Sequence, residues 1–94
     1  ISVVKACLTR KIREATHTLC IVGAEANKLH RDSHEIGYRN WQNFEVARSA
    51  ENGNRLVGVK IRSTYRAPEE LRYVGAEWAY SFTQTDIIAA LNKA

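Results

Sequence analysis

Residues 41–61 read WQNFEVARSAENGNRLVGVKI, and the fold follows from how this stretch divides. Trp41 and Phe44 lie three apart, and Val46, Ala47 and Ala50 widen the apolar surface they begin. This is helical spacing, so a helix is expected from about Trp41 to Glu51. Asn52-Gly53 supplies the stop, because glycine adopts the left-handed conformation that ends helices without steric cost. Leu56 to Ile61 then forms a short apolar run without alternation. Such a run suits a strand covered on both faces, as in a parallel sheet.

Upstream, the same two elements recur in the same order. Leu19-Cys20-Ile21-Val22, closed by Gly23, is a second apolar run of the buried-strand kind. Before it, Val4, Leu8, Ile12 and Ala15 recur at helical spacing with Cys7 beside them, so an amphipathic helix is expected from about Val3 to Ala15. Between Gly23 and Asn40 no period holds, and the expectation is a long polar loop. Loops of that length in compact domains are often functional. Downstream, Arg62 to Ala76 reads as a loop in which Pro68-Glu69-Glu70-Leu71 makes one helical turn. Trp78 to Phe82 is a strand candidate. Thr83 to Asp86 resembles a helix start, and Ile87, Ile88 and Leu91 are the expected buried stripe of the last helix. Alternating helices and strands predict an α/β layered fold with a mainly parallel sheet. Folds of this class usually open with a strand. None precedes the first helix, so a first strand is expected in sequence upstream of Ile1, with residues 1–94 forming a single domain of a longer chain.

Composition narrows the function classes. The chain has 94 residues, 14 Lys+Arg, 10 Asp+Glu and a formal charge of +4, which favours anionic small ligands but carries no diagnosis of nucleic-acid binding. No apolar run nears the ~18 residues of a membrane span. One Pro and five Gly exclude collagen-like or wholly disordered chains. Cys7 and Cys20 are the only cysteines. Without a secretory signal they read as free, small buried hydrophobes in a reducing, cytoplasmic setting. His30, Asp32 and His34 fall within five residues of one another but lack the ligand pattern of a zinc site, so no metal is expected. Neither GxGxxG nor GxxxxGK[ST] occurs, which leaves Rossmann and P-loop nucleotide binding without support.

Glu45 is the residue whose position carries chemistry. Early in its helix it sits near the positive end of the dipole, where a carboxylate is favoured. Trp41, one turn earlier, shares its face. Two readings of Glu45 stand side by side: a working carboxylate, or a surface residue paired with Arg48 or Arg39. Trp41 is either a pocket wall or a core anchor, and Tyr38 either gates a site or belongs to a plain surface loop. Gly23 ends a parallel strand at its carboxyl end, where open α/β sheets bind ligands.

The stretch from Ile12 to Val59 resembles the TIR-like domains of the Thoeris antiphage type. The shared features run in order: Ile12, the strand Leu19 to Gly23, a polar loop, Trp41 opening a helix, Phe44, Glu45, Gly53 and the strand Leu56 to Ile61. Trp41-Gln42-Asn43-Phe44-Glu45-Val46 is the most specific part. Where the family often carries Ser before the Trp, this chain has Asn40. The resemblance implies a flavodoxin-like fold and NAD as substrate, cleaved at the nicotinamide–ribose bond to hydrolysed or cyclic ADP-ribose. It carries over to Glu45 alone, as the catalytic residue; Trp41, Gly23 and Tyr38 are the substrate-binding candidates by their positions in the chain. No further cofactor is implied, because nicotinamide is already a cationic leaving group. The partners implied are NAD or a related nucleotide, and self-association or an effector protein, with no membrane and no nucleic acid. The alternative is a non-catalytic interaction module on the same fold. For either, Trp41 and Phe44 are expected to be buried against the sheet, with Glu45 at the rim of a cleft near the carboxyl ends of Leu19–Val22 and Leu56–Ile61.

Overall fold

The computed structural model describes residues 1–94. The elements run α1 (Ser2–Glu14), β1 (His17–Val22), α2 (Ser33–Ile36), α3 (Trp41–Glu51), β2 (Arg55–Lys60), a 3₁₀ turn (Glu69–Leu71), β3 (Glu77–Ala79) and α4 (Gln84–Lys93). The three strands form one all-parallel sheet in the order β1-β2-β3. Parallel neighbours cannot be joined by a tight turn, so α3 crosses over between β1 and β2. This is the layered α/β arrangement with a parallel sheet that the alternation predicts, and it is consistent with the flavodoxin-like fold that the resemblance implies. No helix is long and apolar enough to cross a membrane.

Local chemistry explains each boundary. Asn40 caps α3: its side chain accepts from the Asn43 N–H at 2.9 Å. At the other end Gly53 takes φ +76°, Gly53 N–H donates to Ala50 C=O and Asn54 N–H to Ser49 C=O. That pair of bonds is the Schellman closure, which needs a left-handed residue and so a glycine. Thr83 caps α4 by accepting from Asp86 N–H. The 3₁₀ turn follows Pro68 as expected.

The sheet is covered unequally. On one face, α3 lays Val46 and Ala50 over Cys20, Val22 and Leu56, with Leu71 and Ala26 completing that core. On the other, α4 covers β3 and β2 through Ala90 and Ile87, which pack on Val57, Val59 and Ala79. Gly58, at the centre of β2, lets the Trp78 ring lie directly on the backbone: a Cβ there would be 2.6 Å from Trp78 Cε3.

Several expectations are corrected. β1 is not buried on both faces: Leu19 and Ile21 stay 46% and 44% exposed, because α4 does not reach them. Cys7 is exposed and only Cys20 is buried. α1 packs on the outer side of α3 rather than on the sheet and buries no residue fully. The buried stripe of α4 is Ile87 and Ala90, whereas Ile88 and Leu91 are exposed. The 23–40 segment is not all loop. It contains α2, whose Ile36 is buried and whose end is set by Gly37 at φ +85°. Strand bounds also shift: β1 begins at His17, β2 runs one residue earlier than expected, and β3 is confined to Glu77–Ala79. Phe44 is fully buried, but among Tyr38, Trp41, the Lys5 ammonium of α1 and the Arg48 guanidinium, on the side of α3 away from the sheet core.

Candidate functional site

Gln42, Glu45 and Ser49 lie three and four residues apart, so α3 presents them as one stripe. That stripe runs beside β1. Gln42 Nε2 donates to Ile21 C=O at 2.8 Å, and Thr18 Oγ1 donates to Ser49 Oγ at 2.8 Å. Glu45, between those two contacts, acts on the Cys20 thiol. Burial pushes that thiol up to about 11, and the Glu45 carboxylate adds to the effect. The thiol is therefore protonated and unreactive at neutral pH.

Glu45 itself is half-buried, and burial lifts its pKa above the ordinary carboxylate value. It makes no salt bridge. The pairings it was weighed against are taken up elsewhere: Arg48 Nη1 meets Glu51 Oε2 at 2.7 Å, and Arg39 Nε donates to Asn27 C=O at 2.9 Å. The carboxylate on the α3–β1 flank is thus desolvated in part, yet uncompensated by a cation. Ionising a group in that situation costs free energy that a cationic ligand would recover.

Trp41 is half-buried, with its ring edge-on to Phe44 at 5.6 Å and to His30 at 6.5 Å. Tyr38 stands edge-on to Phe44 at 6.0 Å and lines a shallow 410 Å³ hollow with Leu29, Ser33, His34, Gly37, Arg39 and Glu69. Trp41 and Tyr38 therefore share Phe44 as a neighbour. Gly23 follows the last residue of β1, at its carboxyl end. Glu45 lines neither Tyr38's hollow nor the cleft beyond Gly23. His30 and Asp32 meet, with His30 Nδ1 4.0 Å from Asp32 Oδ2, but no group of three or more His, Cys, Asp and Glu side chains is placed to hold a metal ion.

Three asparagines organise the loops at the carboxyl ends of the strands. Asn43 is fully buried in the first turn of α3, and its Oδ1 accepts from Glu70 N–H at 2.9 Å. Asn40 Nδ2 donates to Ala26 C=O at 2.8 Å and Lys28 C=O at 3.0 Å, and its Oδ1 accepts from Asn43 Nδ2 at 3.0 Å. Asn27 Nδ2 donates to Ala67 C=O at 2.8 Å, while its Oδ1 accepts from Glu69 N–H at 2.7 Å. Each amide is used on both sides, so the network is a satisfied one that fixes backbone rather than a source of strain. It clamps the segment after β1 to the segment after β2 and to the start of α3. Sequence reasoning missed this hub. Asn40 was visible only as the residue before Trp41, and nothing in the spacing of positions 27, 40 and 43 signals convergence across a long loop.

Between those clamped segments lies a cleft of about 610 Å³ lined by Ala24, Glu25, Ala26, Asn27, Lys28, Thr64, Tyr65 and Arg66. It occupies the place where open α/β sheets hold ligands, outside the carboxyl ends of adjacent strands. A second groove, between α1 and α3, is lined by Thr9, Ile12, Arg13, Arg48, Glu51 and Asn52. No family model, no curated protein and no solved structure matches the chain.

Proposed function

We propose that this chain is a TIR-like signalling domain that cleaves NAD, with Glu45 as the carboxylate that faces the reacting ribose. The observation that carries the reading is Glu45 itself: half-buried, raised in pKa and free of any cationic partner, on the same helical face as Trp41. In this reaction the bond between ribose C1′ and the nicotinamide nitrogen breaks, and its electron pair leaves with neutral nicotinamide. Positive charge then develops on the ribose. A fixed, partly desolvated carboxylate stabilises that oxocarbenium character more strongly than it stabilises the substrate. Water adds to C1′ and releases a proton, giving ADP-ribose; attack by a nucleophile of the same ADP-ribose, which likewise loses its proton, instead gives a cyclic product. In this reading Trp41 supplies a flat apolar wall one turn away, and Tyr38 and Gly23 are assigned to substrate binding, while Glu45 itself lines neither the Tyr38 hollow nor the cleft beyond Gly23. Product type, antiphage signalling and an effector partner belong to this reading through the family resemblance alone.

The test is nicotinamide release from NAD by the full chain, comparing wild type with Glu45→Gln. The expected result is turnover by wild type and a loss of about a hundredfold or more in the variant, in line with removal of a group that stabilises transition-state charge. Equal rates would remove Glu45 from the mechanism. The acid limb of the wild-type profile should fall at a pH above that of an ordinary carboxylate, because Glu45 must be ionised and burial raises its pKa.

A second reading, a non-catalytic interaction module, is favoured by a different observation. β1 is an edge strand whose outer edge is guarded by no Lys or Pro, and Leu19 and Ile21 are apolar and exposed beside it. Unguarded apolar edges are surfaces on which other chains add. Light scattering across a concentration series separates the two readings: a strict monomer that turns over NAD counts against the module.

A further inference from the structure

The segment from Asn54 to Pro68 contains Arg55, Lys60, Arg62 and Arg66 and no acidic residue, so an excess of positive charge equal to the whole chain's formal +4 is concentrated in this one stretch. Its distal part forms one wall of the 610 Å³ cleft at the carboxyl ends of β1 and β2. Arg66 has no salt-bridge partner. Lys28, on the facing wall, is held only by Glu25 at 3.6 Å, a pair in which both side chains are largely exposed. Such a pair contributes little and is readily exchanged for a better anion. Thr64 brings a hydroxyl, and Tyr65, which packs its ring on the core beneath, brings a phenol. Ala24 and Ala26 leave an apolar floor. Asn27, Asn40 and Asn43 hold both walls in place through backbone carbonyls and N–H groups, so the cleft is formed before any ligand arrives. Its volume lies within the range of roughly 300–1,000 Å³ usual for small-molecule sites.

We propose that this cleft is a binding site for a phosphate-bearing small molecule, with Arg66 and Lys28 holding the phosphate oxygens from opposite walls and Thr64 and Tyr65 adding hydroxyl donors. Arginine matches phosphate through its planar fork of N–H groups, and lysine adds a point charge. Glu25 is the one acidic residue in the lining, and its role is to occupy Lys28 while the site is empty. The site is independent of Glu45, which does not line it, so it stands or falls apart from NAD cleavage.

The experiment is a titration of the 94-residue chain with inorganic pyrophosphate at low ionic strength, followed by amide chemical shifts. The expected shifts centre on residues 24–28 and 64–66. Arg66→Gln should weaken binding about tenfold, the usual scale for loss of one charge-assisted contact. Glu25→Gln should tighten it about two- to threefold, by releasing Lys28. Arg13→Gln, in the groove between α1 and α3, should leave it unchanged. The proposal is overturned if pyrophosphate does not bind, if the shifts centre on Arg13 and Arg48, or if Arg66→Gln binds as wild type does. All three side chains are exposed and outside the core, so these variants keep the fold.

Discussion

β1 and β2 carry nearly the same message in sequence, LCIV in one and LVGV in the other, yet they live in different environments. Leu56 to Val59 of β2 are buried on both faces. In β1 only Cys20 and Val22 are buried, and Leu19 and Ile21, pointing to the other face, are exposed. The difference lies in what covers each strand. α3 follows β1 and lies over both strands on one side, whereas α4 follows β3 and covers only β3 and β2 on the other. An apolar run therefore reports that a strand is fit to be buried on two faces. Whether it is buried depends on helices supplied from elsewhere. The two candidate regions lie elsewhere than this open face: Glu45 sits on α3, on the side of β1 that carries the buried Cys20, and the basic cleft lies where the segments following β1 and β2 are clamped together.

The contrast between the strands can be broken most severely with a matched pair of substitutions. Leu56→Ala, deep in β2, should cost about 2–5 kcal/mol in chemical denaturation, the range for emptying a buried leucine site. Leu19→Ala, in the same sheet, should cost no more than about 1 kcal/mol, because much of its side chain is already in water. Equal costs would mean that the open face of β1 is covered in solution, and a concentration-dependent midpoint for Leu19→Ala would say by a second copy. Next in size is Gly58→Ala. A Cβ at that place meets the Trp78 ring, so the ring must move off the strand, at a cost of about 1–3 kcal/mol and with a shift in tryptophan fluorescence. Alanine at this position without loss of stability would show that Trp78 is loosely seated.

The smallest effect concerns the flank of β1. Burial raises the Glu45 pKa in the folded protein, so the folded state holds this proton more tightly than the unfolded chain does. Below the unfolded pKa the carboxyl is protonated in both states and has no effect. As pH rises through the window between the unfolded and the higher folded value, ionisation favours unfolding, and above that window the penalty is constant. Glu45→Gln removes the penalty. It should equal wild type in acid and match or exceed its thermal midpoint at neutral pH. A variant less stable than wild type at neutral pH would mean that the ionised carboxylate has a stabilising partner.

Much of this architecture was legible because it depends on neighbours in the chain. Gly53 after a helical period, Pro68 before a single turn and Thr83 before the last helix each act within one turn of backbone, and each does what its chemistry predicts. α2 was harder, since four residues offer too short a period to read, and its anchor Ile36 gains its burial from packing. Phe44 illustrates the limit. Its spacing from Trp41 marks it as buried, but helical spacing gives a face and not the partner that covers it, and the partners are α1, Tyr38 and Arg48. For the candidate site, the type and helical face of Glu45 could be read directly. Its lack of a cationic partner could not, because Arg48 and Arg39 are both within reach by sequence and were drawn away by Glu51 and the Asn27 carbonyl.

By itself, then, the order of residues determined the alternation of helices and strands, their caps and stops, the parallel pairing that this alternation demands, and the carboxylate one turn after Trp41. These are consequences of short-range sterics and hydrogen bonding, which act over a few residues. Only the tertiary structure decided which face of β1 stays open, that Phe44 lies under α1, that three asparagines from two distant segments meet, and that Lys28 and Arg66 line one cleft. Those outcomes depend on contacts between residues far apart in the chain, and such contacts are settled only when all the layers pack at once.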